Sequence, residues 1–219
     1  MLLKKFLIST LCALAVALPA QAGVTYTSTP NGTFQEPLGV PDTTTYGQIF
    51  TVPTDGNRRL EGFSFWLSGT LLQAWGGLAA WTGTGAGPAL FASSPFKANY
   101  RNLTEVALTT GGIDLVAGEQ YIVYLSTAGI AGNAGADSLA LGNGGGVFDG
   151  IAWDNGFGES PNHDDWLGAQ NWEGRTFAGS LSFSAAPATV PEAGSLALLG
   201  LGVAAFAAVR RRKAACQTR

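Results

Sequence analysis

Between Cys12 and Cys216 the chain has no cysteine. Disulfides, thiol nucleophiles and cysteine metal sites are therefore excluded from everything in between. Histidine occurs once, at His163, so a multi-histidine zinc site is excluded by count. A hydrolase triad would rest on that one imidazole, and no Gly-x-Ser-x-Gly element surrounds any serine to supply its nucleophile. His163 beside Asp164 reads instead as a surface hydrogen-bonding pair. Charge is sparse, at 12% of residues. From residue 23 to 188 five basic residues (Arg58, Arg59, Lys97, Arg101 and Arg175) face fourteen acidic ones, a net charge near −9. Phosphate backbones need a cationic surface, so nucleic acid is not expected as a partner. Gly142-Asn143-Gly144-Gly145-Gly146 lacks the lysine and following helix of a phosphate loop and reads as a flexible loop.

What the chain does have is concentrated at its ends. Lys4 and Lys5 precede an apolar stretch, Phe6 to Leu18, and Ala20-Gln21-Ala22 offers a small-x-small cleavage pattern. These are the parts of a secretory signal peptide over residues 1–22, removed by signal peptidase so that the mature chain starts at Gly23. At the other end, Val190-Pro191-Glu192 is followed by an uncharged run, Ala193 to Val209, and then by Arg210-Arg211-Arg212-Lys213. Such a run spans roughly 26 Å as a helix at about 1.5 Å per residue, close to a hydrocarbon core of about 30 Å. It is expected to form a transmembrane helix over 193–209. The cations after it, with the tail 214–219, should stay cytoplasmic, leaving the bulk of the chain outside.

This order of short motif, hydrophobic helix and basic cluster resembles the PEP-CTERM sorting signal of Gram-negative bacteria, here over residues 189–213. It departs from the commonest form in reading Pro-Glu-Ala where Pro-Glu-Pro is usual. The resemblance implies recognition by the membrane enzyme exosortase through Val190, Pro191, Glu192, Arg210, Arg211 and Arg212. It further implies transient anchoring in the inner membrane and cleavage near Pro191.

Residues 23–188 form the exported domain and read as all-β. In Leu60-Glu61-Gly62-Phe63-Ser64-Phe65-Trp66-Leu67 the residues Phe63, Phe65 and Leu67 share a face. In Phe177 to Ser184 the residues Phe177, Leu181 and Phe183 point in and the serines out. Gln120 to Ser126 is apolar on both faces and suits a central strand. Tyr46 to Val52, Leu78 to Trp81, Ala89 to Phe91, Leu103 to Leu108 and Ile151 to Trp153 are further strand candidates. Thr127 to Gly146, rich in glycine and alanine, is expected to be a mobile loop or loose edge. Many short strands with frequent turn residues predict a two-sheet sandwich or jelly roll. Tyr46 to Pro53, Leu60 to Leu67 and Gly118 to Ser126 are similar to stretches common in exported PEP-CTERM proteins with galactose-binding-like jelly rolls, and that likeness implies the same fold.

The one dense group of polar and aromatic residues is Asp149 to Glu173. Three readings of it stay open. Trp153, Trp166 and Trp172, with Asp154 and Asn155, would make a sugar-binding edge: indole faces stack on pyranose rings while the polar side chains take hydroxyls. Asp149, Asp154, Asp164 and Asp165 would supply hard oxygen ligands to calcium, though not at EF-hand spacing. Or the segment is a solvated acidic surface with tryptophans in the core. Trp66 lies on the face opposite Phe63 and Phe65 and is expected in the core rather than as an exposed stacking platform, whereas Trp75, in a glycine-flanked loop, is the better candidate for exposure. The PEP-CTERM resemblance implies sorting to the cell surface or extracellular matrix, beside exopolysaccharide production and with a role in matrix or biofilm. Together with the segment above, the expected protein is a non-catalytic carbohydrate-binding or matrix-associated one. The alternatives are a surface glycosidase using two carboxylates of segment 149–173 and a purely structural matrix protein.

Overall fold

The computed structural model describes residues 23–39, 43–130, 137–154, 168–170 and 175–186. All belong to one unit ending at Ala186, and among them there are strands and no helix. The signal peptide and the sorting segment 189–213 lie outside the described residues.

Eleven strands follow in chain order: β1 (Val24–Leu38), β2 (Thr45–Thr51), β3 (Asn57–Trp81), β4 (Ala86–Ala92), β5 (Phe96–Asp114), β6 (Gln120–Ser126), β7 (Asp137–Asn143), β8 (Phe148–Asp154), β9 (Gly168–Gln170), β10 (Thr176–Phe177) and β11 (Gly179–Ala185). They form two antiparallel sheets. In the first the order is β10-β7-β1-β11-β3-β5, and in the second β4-β3-β6-β2-β8-β9. The strand common to both is β3. Its residues 57–74 pair with β11 and β5, and 75–81 with β6 and β4. A straight strand of 25 residues would run about 80 Å at about 3.3 Å per residue, far longer than either sheet is wide. Register shifts against β5 near Leu60, Leu67 and Leu71 are the bulges that bend it from one sheet into the other.

The alternation in the sequence decides which face each strand buries. From the first sheet come Phe63, Phe65, Leu67, Leu181 and Phe183, and from the second Tyr46, Phe50, Val123, Leu125 and Ile151, all in one buried cluster. Rings cross the gap between the sheets edge-on: Phe50 meets Phe183 at 6.0 Å and Tyr46 meets Phe177 at 5.7 Å. Each such buried side chain contributes about 1.5–3 kcal/mol. This is the expected two-sheet sandwich.

One polar side chain sits inside that core. Gln48, 2% exposed, donates from Nε2 to the carbonyls of Ile49 and Gly150, at 2.7 Å each. Its Oε1 accepts from the Phe177 N–H at 2.8 Å. A residue of the second sheet thereby satisfies the backbone of the first.

Two expectations about the chain path change. Leu60–Leu67 and Leu78–Trp81 belong to the single strand β3 rather than to two. Thr127–Gly146 is not a loose edge throughout, because β7 pairs with β1, β10 and β3 and Leu139 is fully buried. The short Ser-Leu-Ala-Leu alternation there, flanked by small residues, is a strand that composition masks. The long β1 carries no strong apolar pattern, since its threonines face water.

Candidate functional site

Of the residues proposed for sugar or calcium, Asp149, Trp153 and Asp154 lie on the described strand β8. Asn155, Asp164, Asp165, Trp166 and Trp172 lie outside the described residues. Asp149 and Asp154 stand at opposite ends of β8, five residues or roughly 17 Å apart at about 3.3 Å per residue. Calcium holds its oxygens at about 2.3–2.6 Å, so these two carboxylates cannot serve one ion. Asp149 is engaged elsewhere, accepting from the Thr51 hydroxyl at 2.6 Å and the Gln120 amide at 3.2 Å. Asp154 is buried to 3% exposure. Among the described residues no three His, Cys, Asp or Glu side chains gather as metal ligands would. Trp153 packs against the main core because it shares the inward face of β8 with Ile151. Its ring is partly buried and spends one side on that core.

The two outer faces of the sandwich differ. On the second sheet the outer face is buried: Ile49, Trp75, Ala79, Trp81, Ile122, Tyr124 and Ala152 form their own apolar cluster. Trp75, expected in an exposed loop, is instead within β3. Its indole N–H donates to the Ala128 carbonyl at 3.0 Å, and its ring meets Tyr124 edge-on at 5.6 Å. The Tyr124 ring lies over Gly77 so closely that a Cβ there would fall inside it. Glycine at that position is what lets a tyrosine lie flat on the sheet.

Burial pushes the Tyr124 phenol up to about 12 from its ordinary 10.0. Below pH 10 folded and unfolded chains both hold this proton. From 10 to about 12 the unfolded chain releases it while the folded one keeps it, so stability is lost as pH rises through that window, by up to ~1.4 kcal/mol per unit. Replacing Tyr124 with phenylalanine should flatten the decline between pH 10 and 12, whatever it does at neutral pH. Urea unfolding of both forms across that range is the check, and parallel slopes would refute the assignment.

The outer face of the first sheet is open. Thr25 and Thr27 of β1 are exposed and Ser180, Ser182 and Ser184 of β11 partly so. They pair across the strands as Thr25 with Ser182 and Thr27 with Ser180. Beside them on β3 stand Ser64 and Trp66, the latter partly exposed, and opposite Trp66 on β5 stands Glu105. Trp66 is therefore on the wet side of its sheet. The Ser64 hydroxyl donates to Glu105 Oε1 at 2.6 Å and lies 2.7 Å from the Ser180 hydroxyl. A hydroxyl has one hydrogen. Because Ser64 gives its own to Glu105, Ser180 must donate to Ser64, and the chain runs Ser180 to Ser64 to Glu105. A second carboxylate, Glu61, accepts from Ser184 at 2.6 Å and lies 3.5 Å from Arg59 Nε.

Sequence reasoning reached the outward serines of β11, but it favoured the core for Trp66, which is partly exposed, and it did not single out Glu105. The outward serines were visible as alternation. The partner of Trp66 depends on the β3–β5 register, and the bulges that set this register leave no mark in a hydropathy pattern.

No curated protein matches this chain, so the galactose-binding-like resemblance rests on its three sequence stretches. At residues 189–213, however, the chain matches the family model of the PEP-CTERM protein-sorting motif. The chain thus carries a PEP-CTERM sorting motif behind an all-β domain, which implies an exported protein anchored in the membrane before exosortase processes it.

Proposed function

We propose that this is a non-enzymatic exported protein that holds extracellular polysaccharide on the outer face of its first sheet. Exosortase-dependent sorting would deliver it to the cell surface or matrix of a Gram-negative bacterium. The observation that carries the reading is the difference between the two outer faces. One is covered and apolar, while the other is left to water, paved with hydroxyls and furnished with a tryptophan. Hydroxyl rows give and accept hydrogen bonds much as sugar hydroxyls do, and an indole takes the apolar face of a pyranose. This reading puts the carbohydrate on the strands β1, β11, β3 and β5 rather than on segment 149–173, whose described tryptophan, Trp153, is partly buried against the core. The full chain should co-sediment with exopolysaccharide from the producing cells. Trp66→Ala should lose most of that retention with little change in thermal midpoint, since the ring stands outside the core. Undiminished retention by the variant would sink the reading.

A further inference from the structure

We infer that Trp66 and Glu105 together form a subsite for an amine-bearing sugar, so that the preferred polymer is a hexosamine chain with free amino groups. The inference rests on the polysaccharide reading and specifies its ligand. The two residues are directly opposed on adjacent strands, which puts their Cβ atoms about 5 Å apart on one side of the sheet. A pyranose lying on the indole therefore brings a ring substituent within reach of the carboxylate. An ammonium there gains both the carboxylate and the electron-rich face of the indole.

Three observations favour a cation over a neutral hydroxyl or an acid. Among the described residues Glu105 forms no ion pair, since the two salt bridges both belong to Arg59, with Glu61 and Asp114. Its one fixed contact is the hydrogen bond from Ser64, itself backed by Ser180. That bond orients the carboxylate while leaving most of its acceptor sites free. Among the described residues β5 pairs only with β3, so Glu105 stands at the rim of the sheet, open from the side. The surrounding charge agrees. With five basic and fourteen acidic residues in the exported domain, polyuronates and phosphate-bearing polymers are repelled and polycations drawn in.

The test is calorimetric titration of the full chain, purified in detergent, with three oligosaccharides of equal length: a glucosamine oligomer, its N-acetylated counterpart and a neutral glucose oligomer with the same linkage. A charge-assisted bond lost on acetylation predicts about tenfold tighter binding of the free amine. Glu105→Gln should erase that preference. Trp66→Ala should abolish binding and Trp66→Phe restore most of it. Glu119→Gln, an exposed carboxylate on the turn before β6, should change nothing. Equal affinity for all three oligomers overturns the amine subsite but leaves the polysaccharide reading intact. Equal losses from Glu105→Gln and Glu119→Gln reduce the effect to general surface charge and overturn the subsite too. Silence with all three, together with unchanged retention of Trp66→Ala on the native polymer, overturns both.

Discussion

Replacing Gln48 with leucine should destabilise the domain by about 3–5 kcal/mol, although the two side chains are close in size. Gln48 accepts from the Phe177 N–H across the gap between the sheets, and it also serves the carbonyls of Ile49 and Gly150. Leucine fills the volume but meets none of these groups, and each buried backbone group left unpaired costs about 1–3 kcal/mol. Set against a typical total of about 5–15 kcal/mol, the loss would leave the sandwich marginal. Urea unfolding measures it, and a change under about 1 kcal/mol would show that backbone relaxation replaces the bridge. Gln48→Glu separates hydrogen bonding from packing. Its carboxylate would face two carbonyls at neutral pH, so burial and those oxygens raise its folded pKa. The protonated form regains one donor. The variant should therefore be most stable below the unfolded value of about 4.3 and lose stability as pH rises through the folded value.

Gly179→Ala should cost about 3 kcal/mol or more, from the addition of one methyl group. Gly179 is the first residue of β11, between Ser28 of β1 and Phe65 of β3. A Cβ built there falls within the contact radius of the Ser64 carbonyl oxygen. The obstacle is main chain in the middle of a sheet, so no rotamer change clears it: β3 or β11 must shift. Gly145→Ala is the comparison. It sits in the turn before β8 with no atom within 4 Å of its added Cβ, and should be nearly neutral. Comparable midpoints for the two variants in denaturant unfolding would mean that the strands part at little cost.

These two positions mark where sequence reading stops. Alternation in Leu60–Leu67 and Phe177–Ser184 made the inward and outward faces legible, and the apolar run Gln120–Ser126 correctly announced a strand covered on both sides. Gln48 could be quoted as part of a motif but not explained, because its role lies in contacts with residues 102 and 129 positions away. β7 was hidden since glycine and alanine look like loop by composition, even when Leu139 and Leu141 between them point steadily into the core. Trp75 was misplaced for the same reason. Its flanking glycines suggested a turn, whereas Gly77 is there to admit the Tyr124 ring. Trp153 and Asp154 looked like ligand residues through their company in the chain, but strand geometry sends one against the core and leaves the other buried. The sorting motif was legible throughout because a linear signal is written in consecutive residues, while a sheet face assembled from four strands is not.

The position of β11 has a mechanical consequence. It is the last strand before the chain continues to the sorting motif, and it lies between β1 and β3 with ladders on both sides. Tension from a tail held in a membrane enters the domain through the end of β11, at Ala185. The strand cannot be peeled from an edge one bond at a time, since it has no free edge over Gly179–Phe183. It must slide against two neighbours at once, so their hydrogen bonds share the load. One of those neighbours is β3, which carries the force onward into the second sheet. A pull on the C-terminus would therefore have to break two ladders together rather than unzip one.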